Sequence, residues 1–345
     1  MPVGEAKRHA TLGKVGGGLA LLVGLAATAG SCTTSSKRAT ATPVPISTST
    51  FTATPVPLSI GLLAVGGWGG NASYSTAEFY NATTNSWTSV ASMLTARHGL
   101  AAAPVTIGGV AGVLAVGGGD STTTFSTAEF YNPVSNTWST MAFMQTGRGY
   151  LAAAPVTIGG VVGVLAVGGT GSGVGLLSSA EFYDPISNSW AYVASMPTAR
   201  YQLAAAPVVI GGVAGVLVVG GSNGTTLSTA EFYNPGTDSW FTMASLLNAS
   251  QQLTAAPVTI GAVGGVLAIG GNPTEFYDPG TDSWSTTAPM PNPSADLAAA
   301  PVTIGGVGGV LAIGGAAAEF YNPGNNSWSA MAPMLIARLE HAAAH

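Results

Sequence analysis

Residues 147 to 169, GRGYLAAAPVTIGGVVGVLAVGG, recur with small changes at 96 to 118, 199 to 221, 249 to 271 and 293 to 315. A chain that repeats one phrase in this way builds the same local unit each time, and the units bury their apolar surface against one another. Double glycines close the apolar runs at Gly66, Gly117, Gly168, Gly220, Gly270 and Gly314, spaced 51, 51, 52, 50 and 44 residues. Each run is followed by EFY, giving Tyr80, Tyr131, Tyr183, Tyr233, Tyr277 and Tyr321. Each tyrosine stands seven residues before a tryptophan: Trp87, Trp138, Trp190, Trp240, Trp284 and Trp328.

Between Tyr and Trp stand turn sequences such as NPVSNT, DPISNS and NPGTDS, with Pro or Gly where a tight turn wants fixed or positive φ. TAEFY and the Trp segment therefore read as one hairpin, and AAAPVTI and GVLAVGG as another, joined by a glycine-rich turn. Four short strands per unit, a period near 50 and the Gly-Gly, Tyr, Trp order resemble the kelch repeat, in which each unit is one blade of a β-propeller. The resemblance covers residues 58–345 and implies an all-β, six-bladed kelch-type β-propeller of four-stranded antiparallel blades.

The apolar runs agree with that reading. A blade is covered on both faces by its neighbours, so its strands lose the alternation of a half-exposed sheet. Pro104, Pro155, Pro207, Pro257 and Pro301 fall in the first strand of their units. Proline is tolerated at a sheet edge, which puts this strand on the central channel. No AAAPVTIGG copy precedes Gly66, whereas ARLEHAAAH follows Trp328. That tail is expected to supply the innermost strand of blade one; ATPVPLSI at 53–60 competes for the place.

Charged residues are 7% of the chain, against about 25% in ordinary domains. From residue 58 onward there are four Arg and no Lys against thirteen acids. A surface this poor in cations cannot neutralise phosphates, so nucleic-acid binding is excluded as an expectation. Lys7, Arg8 and Lys14 precede the apolar VGGGLALLVGLAATAGS, which reads as a signal peptide over 1–31. Cys32, the single cysteine, follows directly and resembles the lipidated first residue of a bacterial lipoprotein; the competing reading is a secretory cut after residues 27–29. Residues 32–57 are a Thr/Ser/Pro-rich tether. Together these imply an extracytoplasmic, membrane-anchored monomer that touches membrane only through its N-terminal lipid, or else a secreted one.

Catalytic chemistry finds few groups. In the repeats His98, His341 and His345 are not spaced as a zinc pair, no second cysteine exists, and no P-loop lysine is present. No cofactor, metal or catalytic residue is therefore assigned. Glu78, Glu129, Glu181, Glu231, Glu275 and Glu319 recur once per unit. They read as structural acceptors within their own blades, since carboxylates for glycoside hydrolysis must converge on one bond. Pairing with Arg97, Arg148, Arg200 and Arg338 cannot be general, because Ser250 and Ser294 fill the same slot before blades five and six.

Where the copies differ, the fold is expected to leave the residue free. The pair before each first strand reads His98-Gly99, Gly149-Tyr150, Tyr201-Gln202, Gln251-Gln252, Ala295-Asp296 and Leu339-Glu340, and the connection from second to third strand varies as well. In an up-and-down blade both emerge on one face. The candidate ligand-binding residues are Trp68, His98, Tyr150, Tyr201, Gln202, Gln251, Gln252 and Asp296. Aromatic faces with amides and a carboxylate suit a glycan or a polar protein segment. The resemblance implies a partner-binding face, and the reading is a non-catalytic binding module for a protein or glycan ligand. A sugar-active enzyme, with Asp296 and Glu340 near the mouth, and a ligand-free adhesive spacer are the alternatives.

Overall fold

The computed structural model describes residues 61–270, 273–294 and 296–345. The signal peptide, Cys32, the 32–57 tether, the competing 53–60 segment and Ala295 lie outside the described residues.

Six four-stranded antiparallel sheets make six blades of a propeller. Blade two is representative: His98–Ile107, Val110–Gly119, Ala128–Asn132 and Thr137–Met141 pair in sequence order. In every blade the first strand neighbours the first strands of the blades on either side, so these six strands line the axis, an edge position that suits the prolines of five of them. Pro104 stands opposite Val113 in the ladder, and Pro155, Pro207, Pro257 and Pro301 hold the equivalent places.

Blade one is completed from the far end of the chain. Ala342–Ala344 pairs with Gly61–Val65, which continues to Ala77–Asn81 and Ser86–Val90. The tail supplies the inner strand, and His345 follows it in the slot that proline fills elsewhere.

The core lies between blades. Leu114 and Val116 of blade two pack with Val164, Ala166, Tyr183 and Trp190 of blade three, while Val113 and Ala115, alternating with them, face blade one. Both faces of the second strand are thus covered, which is why its sequence is a continuous apolar run. The same arrangement recurs at all six interfaces, including blade six against blade one, where Leu311 and Phe320 meet Leu62 and Tyr80. Gly163 shows the tolerance: a Cβ there would stand 2.1 Å from the Tyr183 carbonyl oxygen.

Each outer tryptophan also hydrogen-bonds the preceding blade. Trp138 Nε1 donates to the Ala91 carbonyl oxygen at 2.8 Å, and Trp190, Trp240, Trp284 and Trp328 repeat the bond on Ala142, Ala194, Ala244 and Ala288. The third-to-fourth-strand turns differ from the sequence expectation. Positive φ falls at Asn85, Asn136, Asn188, Asp238, Asp282 and Asn326, and Gly236, Gly280 and Gly324 do not adopt it. Asx side chains tolerate the left-handed region when they hydrogen-bond locally. Here Asn136 Oδ1 accepts from the Tyr131 hydroxyl and from the Ala91 amide of the neighbouring blade.

Candidate functional site

The connection into each blade first crosses a buried latch. Arg148 and Glu181, both fully buried, form an ion pair at 2.7 Å; Glu181 also accepts from the Gln145 and Thr146 backbone amides, and Arg148 donates to the Gly168 and Ser179 carbonyls. Arg97–Glu129, Arg200–Glu231 and Arg338–Glu78 repeat the pair. Before blades five and six, where Ser250 and Ser294 replace arginine, the side-chain amides of Asn248 and Asn292 donate to Glu275 and Glu319 instead. The glutamate side chains therefore bond the lead-in from the preceding blade, which corrects the expectation of acceptors within their own blades, and all four repeat arginines are consumed below the surface.

Above the latch the chain rises to the channel mouth on the same face as the second-to-third-strand loops. The second residue of each variable pair has positive φ: Gly99 at 59°, Tyr150 at 54°, Gln202 at 53°, Gln252 at 58°, Asp296 at 58° and Glu340 at 52°. A belt of backbone hydrogen bonds accompanies it at five of the six positions. The Gly99 amide donates to the Glu340 carbonyl, Tyr150 to Gly99, Gln202 to Tyr150 and Gln252 to Gln202, at 2.7 to 3.1 Å. This corrects the expectation that the fold leaves these slots free, since it dictates their backbone while leaving their side chains open. A non-glycine residue in this region costs on the order of 1 kcal/mol, and five of the six positions carry one.

Those side chains converge on a shallow cavity of about 80 Å³ at the mouth, lined by Tyr150, Gln202, Gln252, Asp296, Glu340 and His341. Gly99, lacking a Cβ, leaves room for the Tyr150 ring, whose atoms would stand 3.2 Å from one. Tyr150 reaches past it and donates its hydroxyl to Glu340 Oε2 at 3.1 Å. On the other side Gln252 Nε2 donates to Asp296 Oδ1 at 2.9 Å. Burial, and then the neighbouring Glu340 carboxylate, raise the Asp296 pKa, with the Gln252 bond opposing. The Tyr150 hydroxyl is likewise pushed up, chiefly by burial and then by Glu340.

An aromatic fence stands along blades one to four. Trp68 meets His98 edge-on at 5.0 Å between ring centroids, His98 meets Tyr150 at 6.2 Å, and Tyr150 meets Tyr201 at 6.4 Å. Ser73 Oγ and His98 Nδ1 are 2.8 Å apart, and His98 Nε2 lies 3.8 Å from Glu340. Gln251 turns aside to the Thr226 hydroxyl.

The kelch motif matches residues 62–94, 103–145, 153–197 and 206–247, four of the six blades just described. The chain is a kelch-repeat β-propeller. The solved structure of YjhT is similar in fold, with 13% identity and a TM-score of 0.57 over 81% of this chain and 99% of that one. No curated protein matches the chain in sequence.

In this kelch propeller, seven of the eight expected residues are joined by ring contacts or line the cavity directly: Trp68, His98, Tyr150, Tyr201, Gln202, Gln252 and Asp296. Trp68 extends the fence outward, and Gln251 leaves the mouth. Glu340, which the sugar-active alternative places near the mouth, lines the cavity too, and His341 joins it without having been a candidate. His341 occupies the slot of Leu100, Leu151, Leu203, Leu253 and Leu297, a substitution visible in the repeat alignment. Among the described residues no group of three His, Cys, Asp or Glu side chains is placed to hold a metal ion.

Proposed function

We propose that this kelch propeller is a non-catalytic binding module that takes a glycan or a polar protein segment at the mouth ringed by the variable pairs. The observation that carries the reading is the set of five non-glycine residues held at positive φ around one cavity. Strain retained where glycine would relieve it points to side chains kept for a purpose. Tethering through a lipidated Cys32 would place the module outside the cytoplasmic membrane, and a Cys32→Ala variant that remained membrane-bound would remove that part of the reading.

The test is a glycan and peptide array probed with the full chain, followed by the Tyr201→Ala, Gln202→Ala double variant. Stability should change by no more than about 0.5 kcal/mol, as for surface positions, while affinity for the captured ligand should fall by at least about 1 kcal/mol. Unchanged affinity would move binding elsewhere. A sugar-active enzyme is the second reading, favoured by the neighbouring Asp296 and Glu340 carboxylates. Turnover of a captured glycan would replace the first reading with the second.

A further inference from the structure

Among the described residues the mouth carries two carboxylates and no arginine or lysine to match them. Asp296 and Glu340 hold equivalent positive-φ places in the lead-ins to adjacent blades, and both line the one cavity at the mouth. Their present partners are neutral donors, Gln252 Nε2 and the Tyr150 hydroxyl, with His98 at 3.8 Å from Glu340. Among the described residues the cations other than histidine are Arg97, Arg148, Arg200 and Arg338, all buried in the latches beneath. The rim adds aromatic rings: Tyr150 and His98 border Glu340, Tyr201 stands against Tyr150, and aromatic faces attract organic cations.

A second feature lies at the floor of the same cavity. His341 is 5% exposed, and neither ring nitrogen makes a hydrogen bond of ordinary distance and angle. Burial, with the Arg338 guanidinium adding to it, holds this imidazole neutral, its pKa pushed down to about 3; the Arg338 backbone opposes weakly. A neutral imidazole keeps one lone pair free for an incoming N–H. Buried polar groups almost always find partners, so the open acceptor nitrogen of His341, set in a ring of five leucines beneath the polar rim, invites a donor from outside.

Resting on the binding reading above, we infer that the ligand presents a protonated amine or guanidinium, received between Asp296 and Glu340, against the Tyr150 ring and above His341. Two sources share this chemistry: a basic peptide side chain and an amino sugar. Each carboxylate would gain a charged donor in place of a neutral one, and charge-assisted bonds are the stronger kind.

The experiment titrates the full chain with N-acetyl-arginine amide against its neutral isostere N-acetyl-citrulline amide, and with glucosamine against N-acetylglucosamine, by saturation-transfer NMR and calorimetry. The charged member of at least one pair should bind about tenfold or more tightly than the neutral one, the effect of hydrogen bonding to a charged group. Which pair discriminates identifies the source. In the Asp296→Asn, Glu340→Gln variant the preference should vanish with the melting temperature retained. Gln202 and Gln252 already hold glutamine in the same backbone state, and asparagine tolerates it well. Equal binding of both members by the unaltered chain overturns the inference, as does binding of neither up to millimolar concentration, or a preference that survives the double variant. Equal binding that is lost with Tyr201→Ala, Gln202→Ala would leave the binding face standing and remove only the charge.

Discussion

Trp87 Nε1 donates to the Ala332 carbonyl oxygen at 2.8 Å across 245 residues of chain. The same bond joins every other pair of neighbouring blades, so the junction that closes the ring differs from the others only in sequence separation. Trp87→Phe should leave that carbonyl without its donor and cost about 1 to 3 kcal/mol, and Trp138→Ala, which also empties an interface, about 3 to 5 kcal/mol. Urea denaturation measures both. Deleting residues 339–345 strips the inner strand from blade one and should lower the melting temperature further than deleting 33–52.

The latch of blade three can be rebuilt in the style of blade five. Arg148→Ser leaves buried Glu181 with backbone donors alone and should cost about 3 to 5 kcal/mol, as when one partner of a buried pair is removed. Adding Thr146→Asn puts an amide where Asn248 stands relative to Ser250. The double variant should recover about 1.5 to 3 kcal/mol, the range for a hydrogen bond to a charged group. A double variant no more stable than Arg148→Ser would show that the amide is no substitute.

His341 makes stability depend on pH. Its pKa falls from 6.5 in the unfolded chain to about 3 in the fold, so the unfolded chain binds the extra proton between those values. The contribution is fully present above about 6.5 and is lost as pH falls toward about 3, at roughly 1.4 kcal/mol per unit at full slope. His341→Leu, the residue of the other five blades, should remove this slope and be the more stable protein at pH 5. Parallel pH profiles for the two chains would contradict the assignment.

Gln202→Gly should stabilise the fold by about 0.5 to 1 kcal/mol, because glycine relieves the positive φ, while weakening whatever ligand the mouth holds. Such a trade of stability against binding is the signature of a strained functional position. A destabilised Gln202→Gly would mean that the side chain is there for packing.

Blade number, strand order and the placement of the first strand on the axis were legible in the sequence, because each rests on local signals. Turn residues delimit hairpins, continuous apolar runs mark strands covered on both faces, and Pro104 and its equivalents are tolerated only at an edge. Even the face that varies could be read, since an up-and-down blade sends alternate connections to the same side. The tertiary structure alone decided what meets across the ring. Curvature carries Tyr150 to Glu340, 190 residues away, and sets Asp296 beside the tail of the chain. The left-handed backbone of Tyr150, Gln202, Gln252 and Glu340 was invisible in residue type, because glutamine, tyrosine and glutamate have no preference for it. Hydrogen bonds between neighbouring blades hold it, and those bonds exist only once the blades have packed side by side, the Gly99–Glu340 bond only once the ring has closed.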